Sequence, residues 1–351
     1  MRGVWMSSLG ALALMLLLAA SFVSCGDDDD GAGSLRGGSG GDDDDDDTGG
    51  LPDDDASDDD SDDDDTGDDD VDDDDDDTTD PTQAAVESSV FFMGCEPEDS
   101  SCADDEKPRH EVFVFEFVID IHEVTNAGYL AFLAEENPEN DCNGFTCVAS
   151  AHDATEPYQG LYLDGDEWAI DAGYEDRPAG GVSWYGANAY CASQNRRLPT
   201  EAEWEKAAKG GFEHTIFPWG DTFESNALNY LASGDPFEAG PAPNTTPVGY
   251  FDGEEHDGYP TTDGRSPYGL HDMLGNAAEW VGDYYGAEYY ADEPDGGWQN
   301  PSGPDAGDEK VIRGSAWSSA GETVTRNTRR DHYDPDSPGV SAFGFRCAHN
   351  P

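Results

Sequence analysis

Basic residues are scarce in this chain. Its 351 residues include 16 Lys or Arg against 80 Asp or Glu, which gives a formal net charge of −64. Proteins that bind nucleic acid rely on basic patches to neutralise phosphates. The composition therefore argues against a nucleic-acid partner.

Long apolar runs are also scarce, apart from one at the N-terminus. Residues 9–23 read LGALALMLLLAASFV, after Arg2 and before Ser24-Cys25. A membrane-spanning helix needs about 20 apolar residues, whereas a basic start, a shorter apolar core and a small residue are typical of a secretory signal. We therefore predict that residues 1–25 are a signal peptide and that the protein is exported.

The residues before Cys25 suggest a lipid anchor. Phe22-Val23-Ser24 resembles the lipobox of bacterial lipoproteins, although Phe22 stands where Leu is usual. Either Cys25 carries a lipid that anchors the protein at the bacterial cell envelope or surface, or it lies beside an ordinary cleavage site. The count of seven cysteines favours the lipid, because it leaves an even set of six to pair.

Acidic residues are concentrated in one segment. Residues 27–80 contain 30 Asp and one base, Arg36, spaced by Gly, Ser and Thr. Such a segment cannot bury enough apolar surface to offset its chain entropy, and its like charges extend it. We predict that residues 26–84 are a disordered tether, with a weak calcium-buffering tract as the alternative. Residues 85–351 are long enough for one domain with a buried core.

The cysteine and histidine spacings exclude several metal and redox sites. The chain has no CxxC, HxH or HExxH, which argues against a zinc ribbon, a thioredoxin-type pair and a histidine metal centre. In an exported protein, six cysteines besides Cys25 suggest three disulfides. The spacing favours two local pairs and leaves one distant pair: Cys95 with Cys102, Cys142 with Cys147, and Cys191 with Cys347.

Local patterns predict a mixture of helices and strands. Strands are expected at residues 90–94 and 111–121, and three helices are expected to begin at or after Thr125, Ser183 and Thr200. The third helix has the clearest signal, because Glu203 completes a capping box with Thr200 and a Gly pair follows. From residue 217 onward, Gly, Pro, Asn and aromatic residues dominate, which predicts long loops around short strands.

The order of several motifs identifies a family. The chain contains, in the family's order, FFMG, DEKPRHEV, HEVTNAGYLAF, VSWYGANAYC, RRLPTEAEWEKAAKGG, FPWGD, TTPVGYF, SPYGLHDMLGNAAEWVGDYY, RGSAW and GFRCA. This order resembles the sulfatase-modifying-factor, or formylglycine-generating-enzyme, domain from about residue 88 to the C-terminus. The resemblance implies a single α+β domain related to C-type lectin folds, poor in regular secondary structure and stabilised by disulfides and calcium. It also implies the pairing of Cys191 with Cys347.

The resemblance includes one departure at the family's catalytic site. Catalytic members oxidise a substrate cysteine to formylglycine with a copper ion held by two cysteines five residues apart. Residues 314–346 contain no Cys, and an ungapped alignment places Thr323 and Thr328 at the two positions. Cu(I) is bound by sulfur far better than by hydroxyls, and the motif order places both local cysteine pairs elsewhere in the fold. We therefore assign no catalytic residue and expect no copper, and whether the protein is an enzyme stays open.

The resemblance also implies two calcium sites. The first maps onto two carboxylates and two carbonyls, a donor set suited to a hard cation: Asp272, Glu279, Gly275 and Ala277. A solvated acidic turn is the alternative. The second site begins at Asn229 and the carbonyl of Tyr230, but its other half, an Asp-x-Phe in some members, is not recognisable before Thr245.

A basic cluster lies in the former catalytic stretch. Arg326, Arg329 and Arg330 are expected to pair with the neighbouring Asp331, Asp334 and Asp336, with a site for an acidic peptide or sulfated sugar as the alternative. The resulting hypothesis is a lipid-anchored, calcium-stabilised binding or structural module at the cell envelope, whose partner is a peptide, a glycan or an envelope protein. An active oxidoreductase of the same family, with a different metal arrangement or substrate, is the alternative.

Overall fold

The computed structural model describes residues 80–95, 100–137, 139–149, 160–211, 215–239, 244–292, 294–338 and 340–351. The predicted signal peptide, Cys25 and all but the last five residues of the predicted tether lie outside these ranges. Within them, no helix combines the length and the apolar character needed to cross a membrane.

The described residues form three α-helices: α1 (Asn126–Glu135), α2 (Trp184–Ser193) and α3 (Glu201–Lys209). Each begins at its predicted polar residue, whose hydroxyl accepts a hydrogen bond from a first-turn amide. The three pairs are Thr125 with Gly128 at 3.2 Å, Ser183 with Gly186 at 3.0 Å, and Thr200 with Glu203 at 3.2 Å. The predicted helix starts are therefore confirmed.

Helix α3 ends at Gly210, as its sequence predicts. Gly210 has a φ of 76°, a left-handed conformation that favours glycine. A Cβ at this position would also lie 2.4 Å from the ring of Pro267. The stop therefore depends on both the backbone conformation and the packing of a distant loop.

Short strands make up the rest of the regular structure. In the described residues they are β1 (Gln83–Val86), β2 (Ser89–Met93), β3 (His110–Val114), β4 (Phe117–Asp120), β5 (Asp141–Cys142), β6 (Phe145–Thr146), β7 (Leu161–Asp164), β8 (Glu167–Ile170), β9 (Glu255–His256), β10 (Tyr259–Pro260), β11 (Ala278–Tyr284), β12 (Trp298–Gln299), β13 (Lys310–Arg313), β14 (Arg330–Tyr333), β15 (Phe343–Gly344) and β16 (Ala348–His349). Strand β1 begins ahead of the predicted domain start at residue 85.

The strands form three sheets and three hairpins. The sheet orders are β1-β4-β16, β12-β3-β2 and β14-β13-β11-β15, and the hairpins are β5-β6, β7-β8 and β9-β10. The pairs β11/β15 and β12/β3 are parallel, and the others are antiparallel. The α+β class and the predominance of loops are as predicted.

The prediction of one strand over residues 111–121 is wrong. The strand is interrupted at Phe115 and Glu116, where the polypeptide passes from β3 in one sheet to β4 in another. The Phe115 amide donates to Asn300 Oδ1 at 2.6 Å and the Glu116 amide donates to Ser88 Oγ at 2.8 Å. Because side chains satisfy these two amides, neither residue needs a partner strand.

The hydrophobic core has two parts. One packs α3, through Trp204, against β1 to β4, and the other packs α1 and α2 against Trp280 and Phe345. The Cys191–Cys347 disulfide lies inside the second part, and the local Cys95–Cys102 and Cys142–Cys147 disulfides are also present. The three pairs are those that the spacing predicts.

Candidate functional site

The two Thr residues at the predicted copper positions have different surroundings. Thr323 lies in a 3₁₀ turn (Glu322–Val324) and is exposed. Thr328 precedes β14 and is 8% exposed. Its hydroxyl donates to Glu106 Oε2 at 2.8 Å and accepts from Arg326 Nη1 at 2.9 Å. The Thr328 hydroxyl is therefore held in a buried polar network.

Glu106 and Arg326 form the centre of that network. The guanidinium binds the carboxylate in a bidentate manner, with Nη1 2.7 Å from Oε2 and Nη2 2.8 Å from Oε1. Burial alone would raise the pKa of Glu106, but the hydrogen bonds and charge of Arg326 outweigh it and lower that pKa below its ordinary value. Glu106 therefore stays ionised at neutral pH.

The Cys95–Cys102 disulfide lies beside the same network. Arg326 Nη1 is 2.9 Å from Cys102 Sγ, and one oxygen of Glu106 and the two sulfurs lie within 4.8 Å of one another. The prediction that both local cysteine pairs lie away from the former catalytic stretch is therefore wrong for this pair. A sequence separation of more than 200 residues between Cys102 and Arg326 hides the contact from local patterns.

A cleft of about 330 Å³ is lined in part by residues that lie close to Arg326 and Thr328 in the chain. Its walls come from the start of β11, from β13, from the loop over residues 314–320 and from β15. Val324, Arg329 and Asp331 also line it. The cleft therefore combines apolar and serine-bearing walls with two basic residues, Arg313 and Arg329, and one acidic residue, Asp331.

The three arginines of the predicted basic cluster pair with three different acidic residues. Arg326 pairs with Glu106, and Arg330 pairs with Glu201 at 2.7 Å. Both partners are glutamates distant in sequence, so the expected pairing with neighbouring aspartates is wrong for these two arginines. Arg329 does pair with Asp331, at 3.7 Å, and the Arg329 side chain is 34% exposed.

The first predicted calcium site lies in a loop rich in buried carboxylates. Asp272 accepts from the Gly249 amide at 2.6 Å, and burial raises the pKa of Asp272 to about 6. Both oxygens of Glu279 bind Arg346, at 2.6 to 3.0 Å. Gly275 and Ala277 lie between these two residues in the same loop. The predicted ligand Glu279 is thus already bound to a guanidinium.

Sequence reasoning missed a third carboxylate, which comes from a distant segment and packs against this loop. Glu123 is 2% exposed and accepts from Asn276 Nδ2 at 2.7 Å and from the Ala277 amide at 2.9 Å. Burial, followed by the charges of Asp272 and Glu279, raises the pKa of Glu123 well above its ordinary value. Among the described residues Arg346 is hydrogen-bonded to Glu279 and its charge also acts on Glu123 and Asp272, so one guanidinium faces three buried carboxylates.

The second predicted site contains buried oxygens without partners. Asn229 Oδ1 and Asn244 Oδ1 are both buried and accept no hydrogen bond from the described residues. Asn229 Nδ2 donates to the Asn244 backbone carbonyl at 2.7 Å, so the Asn229 side chain lies beside the backbone of residue 244. Buried amide oxygens of this kind suit a hard cation such as calcium.

The prediction that no Asp-x-Phe is recognisable before Thr245 is wrong, because Asp235 and Phe237 supply this pattern. The sequence reads Asp-Pro-Phe at residues 235–237, well before Thr245. The Asp235 carboxylate is 4% exposed and accepts from the Phe237 amide at 2.8 Å. A search with variable spacing after Tyr230 would have found this Asp-x-Phe.

Comparison with known proteins agrees with this fold. Residues 70–351 match the family described as the sulfatase-modifying factor enzyme 1-like domain. The solved structure of PvdO from Pseudomonas aeruginosa is similar, with a TM-score of 0.55 and 22% identity over 77% of this chain and 94% of that one. At this identity the likeness shows a shared fold.

The curated relatives bear different names. The serine/threonine-protein kinase pkn1 of Chlamydia caviae is 34% identical over 249 residues, 70% of this chain and 34% of the kinase, so the chain spans about a third of that relative's length. The inactive C-alpha-formylglycine-generating enzyme 2 of Mus musculus is 30% identical over 295 residues, 76% of this chain and 85% of that protein. The formylglycine-generating enzyme of Bos taurus is 30% identical over 287 residues, 75% and 73% of the two chains. The family match and these last two relatives place the chain in the sulfatase-modifying-factor, or formylglycine-generating-enzyme, domain family.

Proposed function

We propose that this protein is a binding or structural module rather than a copper-dependent formylglycine-generating enzyme. The observation that carries the proposal is the state of Thr328, whose hydroxyl is bound to Glu106 and Arg326. Thr323, the other residue at a copper position, lies on an exposed turn. Hydroxyls lack the thiolate character that Cu(I) requires.

The cleft supports a binding role. It retains apolar walls, and the side chain of Arg329 remains partly exposed at its edge. A guanidinium in this position can pair with a carboxylate or sulfate group. We therefore propose an acidic peptide, a sulfated glycan or an acidic patch of an envelope protein as the ligand class.

Anchoring and calcium belong to the same proposal. We propose that Cys25 carries a lipid that holds the protein at the cell envelope, which the Phe22-Val23-Ser24 junction and the cysteine count support. We also propose that calcium stabilises the domain. The unpartnered amide oxygens of Asn229 and Asn244 and the buried carboxylate of Asp235 support calcium at the second site more strongly than Glu279 supports it at the first.

One assay tests the catalytic part of the proposal. The purified protein, supplied with copper and oxygen, should leave the mass of a Cys-x-Pro-x-Arg peptide unchanged and should show no tight one-to-one binding of Cu(I). The matched variant is Thr323→Cys/Thr328→Cys, which restores both thiols. Cu(I) binding by this variant and not by its parent would tie the loss to these two positions. Aldehyde formation by the parent would instead support the oxidoreductase alternative.

A further inference from the structure

The Cys95–Cys102 disulfide has a charged neighbour that the proposed function does not use. Arg326 Nη1 approaches Cys102 Sγ to 2.9 Å, and the same guanidinium binds Glu106 and Thr328. Cys95 and Cys102 are each 7% exposed. A disulfide sulfur is a weak acceptor, so the oxidised state gains little from a cation placed so close.

The other local disulfide provides a natural comparison. Cys142 Sγ and Cys147 Sγ accept from the amide nitrogen of Asn137, at 3.2 and 3.1 Å. This donor is neutral, and the two cysteines are 2% and 0% exposed. The two pairs span similar loops, with sequence separations of 7 and 5. They therefore differ chiefly in the charge of the donor and in access.

We propose that Cys95–Cys102 is a redox-active disulfide, a site of reversible thiol–disulfide exchange in which Cys102 is the leaving sulfur. A hydrogen bond from a guanidinium stabilises a thiolate far more than a disulfide sulfur. Reduction therefore strengthens a hydrogen bond whose geometry already exists in the oxidised protein, and this gain has to exceed the repulsion from Glu106, which shares the guanidinium and lies within 4.8 Å of both sulfurs. The neutral Asn137 amide offers Cys142 and Cys147 a smaller gain.

The exchange consumes a dithiol, either a small molecule or a protein. A thiolate of the reductant attacks Cys95 Sγ and forms a new S–S bond, while the Cys95–Cys102 bond breaks and its electron pair leaves on Cys102. The second thiol of the reductant then attacks its own mixed-disulfide sulfur and releases Cys95, which takes up one proton. The reductant departs as a disulfide, the other proton goes to solvent, and two electrons have passed to the protein.

Reduction would change the set of groups that share Arg326. Its Nη1 lies within hydrogen-bond distance of Cys102, Glu106 and Thr328, and its Nε donates to the Thr323 carbonyl at 2.9 Å. A thiolate at Cys102 therefore competes with Glu106 and Thr328 for the same guanidinium donors.

A redox titration of the whole protein tests the proposal. The protein is equilibrated, from both the oxidised and the reduced side, in buffers of reduced and oxidised dithiothreitol, then quenched, alkylated and mapped by mass spectrometry. The ratio of reduced to oxidised dithiothreitol at which Cys95–Cys102 is half reduced should be about tenfold lower than the ratio for Cys142–Cys147. A hydrogen bond to a charged group changes an equilibrium constant by about this factor. Equal midpoints for the two pairs would overturn the proposal.

Variants at Arg326 separate the effect of charge from that of access. Arg326→Gln should raise the dithiothreitol ratio at which Cys95–Cys102 is half reduced by about tenfold. The ratio for Cys142–Cys147 should not change. Arg326→Lys, which keeps the charge, should leave the ratio for Cys95–Cys102 close to that of the wild type. If Arg326→Gln fails to fold because Glu106 is left buried and unpaired, the double variant Glu106→Gln/Arg326→Gln removes both charges and should show the same increase. An unchanged midpoint in the folded variants would overturn the role of Arg326.

Discussion

Replacing Arg346 with Met should strongly destabilise the domain. Arg346 is fully buried, and besides Glu279 its guanidinium binds the carbonyls of Asp120, Ile121 and His271, at 3.2, 2.9 and 2.8 Å. Met fills a similar volume but donates no hydrogen bond to these carbonyls, of which that of Ile121 also accepts from the His271 amide. It also leaves Glu279 as an uncompensated charge beside two other buried carboxylates.

The size of the effect follows from the burial of the pair. Removing one partner of a buried ion pair costs about 3–5 kcal/mol, and in a domain of this size each kcal/mol lowers the melting temperature by about 2–4 °C. We therefore expect Arg346→Met to lower the melting temperature at pH 7 by about 6–20 °C, measured by calorimetry. Glu279→Gln/Arg346→Met should recover part of this loss, because it removes the unpaired charge.

The matched control is an arginine pair at the surface. Arg265 Nη2 lies 2.6 Å from Asp263 Oδ2, as close as the Arg346 pair, but the two side chains are 45% and 47% exposed. Arg265→Met should change stability by less than about 1 kcal/mol. Equal melting temperatures for Arg346→Met and Arg265→Met would show that burial of the ion pair does not matter. If Glu279→Gln/Arg346→Met were no more stable than Arg346→Met, the unpaired Glu279 charge would not be the cause of the loss.

Three further predictions concern pH, calcium and anchoring. Burial, followed by the charge of Glu201, raises the pKa of Asp283 to about 8. Between about pH 4 and pH 8 the folded state therefore holds a proton that the unfolded chain has released, and stability falls as pH rises. In Asp283→Asn, the free energy of unfolding from urea titrations should differ less between pH 5 and pH 8 than it does in the wild type. An unchanged difference would contradict the raised pKa of Asp283. Chelation of calcium should lower the melting temperature of the wild type. The decrease should be smaller in Asp235→Asn and should equal the wild-type decrease in the exposed control Asp263→Asn. A melting curve that the chelator does not shift would contradict the calcium proposal. Cys25→Ser should move the exported protein from the membrane to the soluble fraction, and a wild type that is already soluble would refute the anchor.

Features that depend on neighbouring residues are the ones that the sequence predicts. The hydroxyls of Thr125, Ser183 and Thr200 accept from amides three residues ahead, so a short window contains both partners. The family resemblance and the disulfide pairs also follow from motif order and spacing. These signals need no knowledge of which distant segments meet.

Features that depend on distant partners are the ones that the sequence misses. The break after β3 depends on Asn300, which lies 185 residues from Phe115. Arg326 is separated by 220 residues from Glu106, and no periodicity connects two such positions. The same limit hid Glu123 and the contact of Cys102 with the former catalytic stretch, because each arises only when the loops pack together.

The C-terminal strands set the order in which the domain can be completed. Strands β15 and β16, Arg346 and Cys347 all fall within the last nine residues, and Ala348 pairs with Ile119 near the start of the domain. A chain still in synthesis therefore has an open edge on β4, a buried carboxylate without its cation and an unpaired Cys191. Chains truncated before residue 343 should therefore stay open to proteases and holding chaperones.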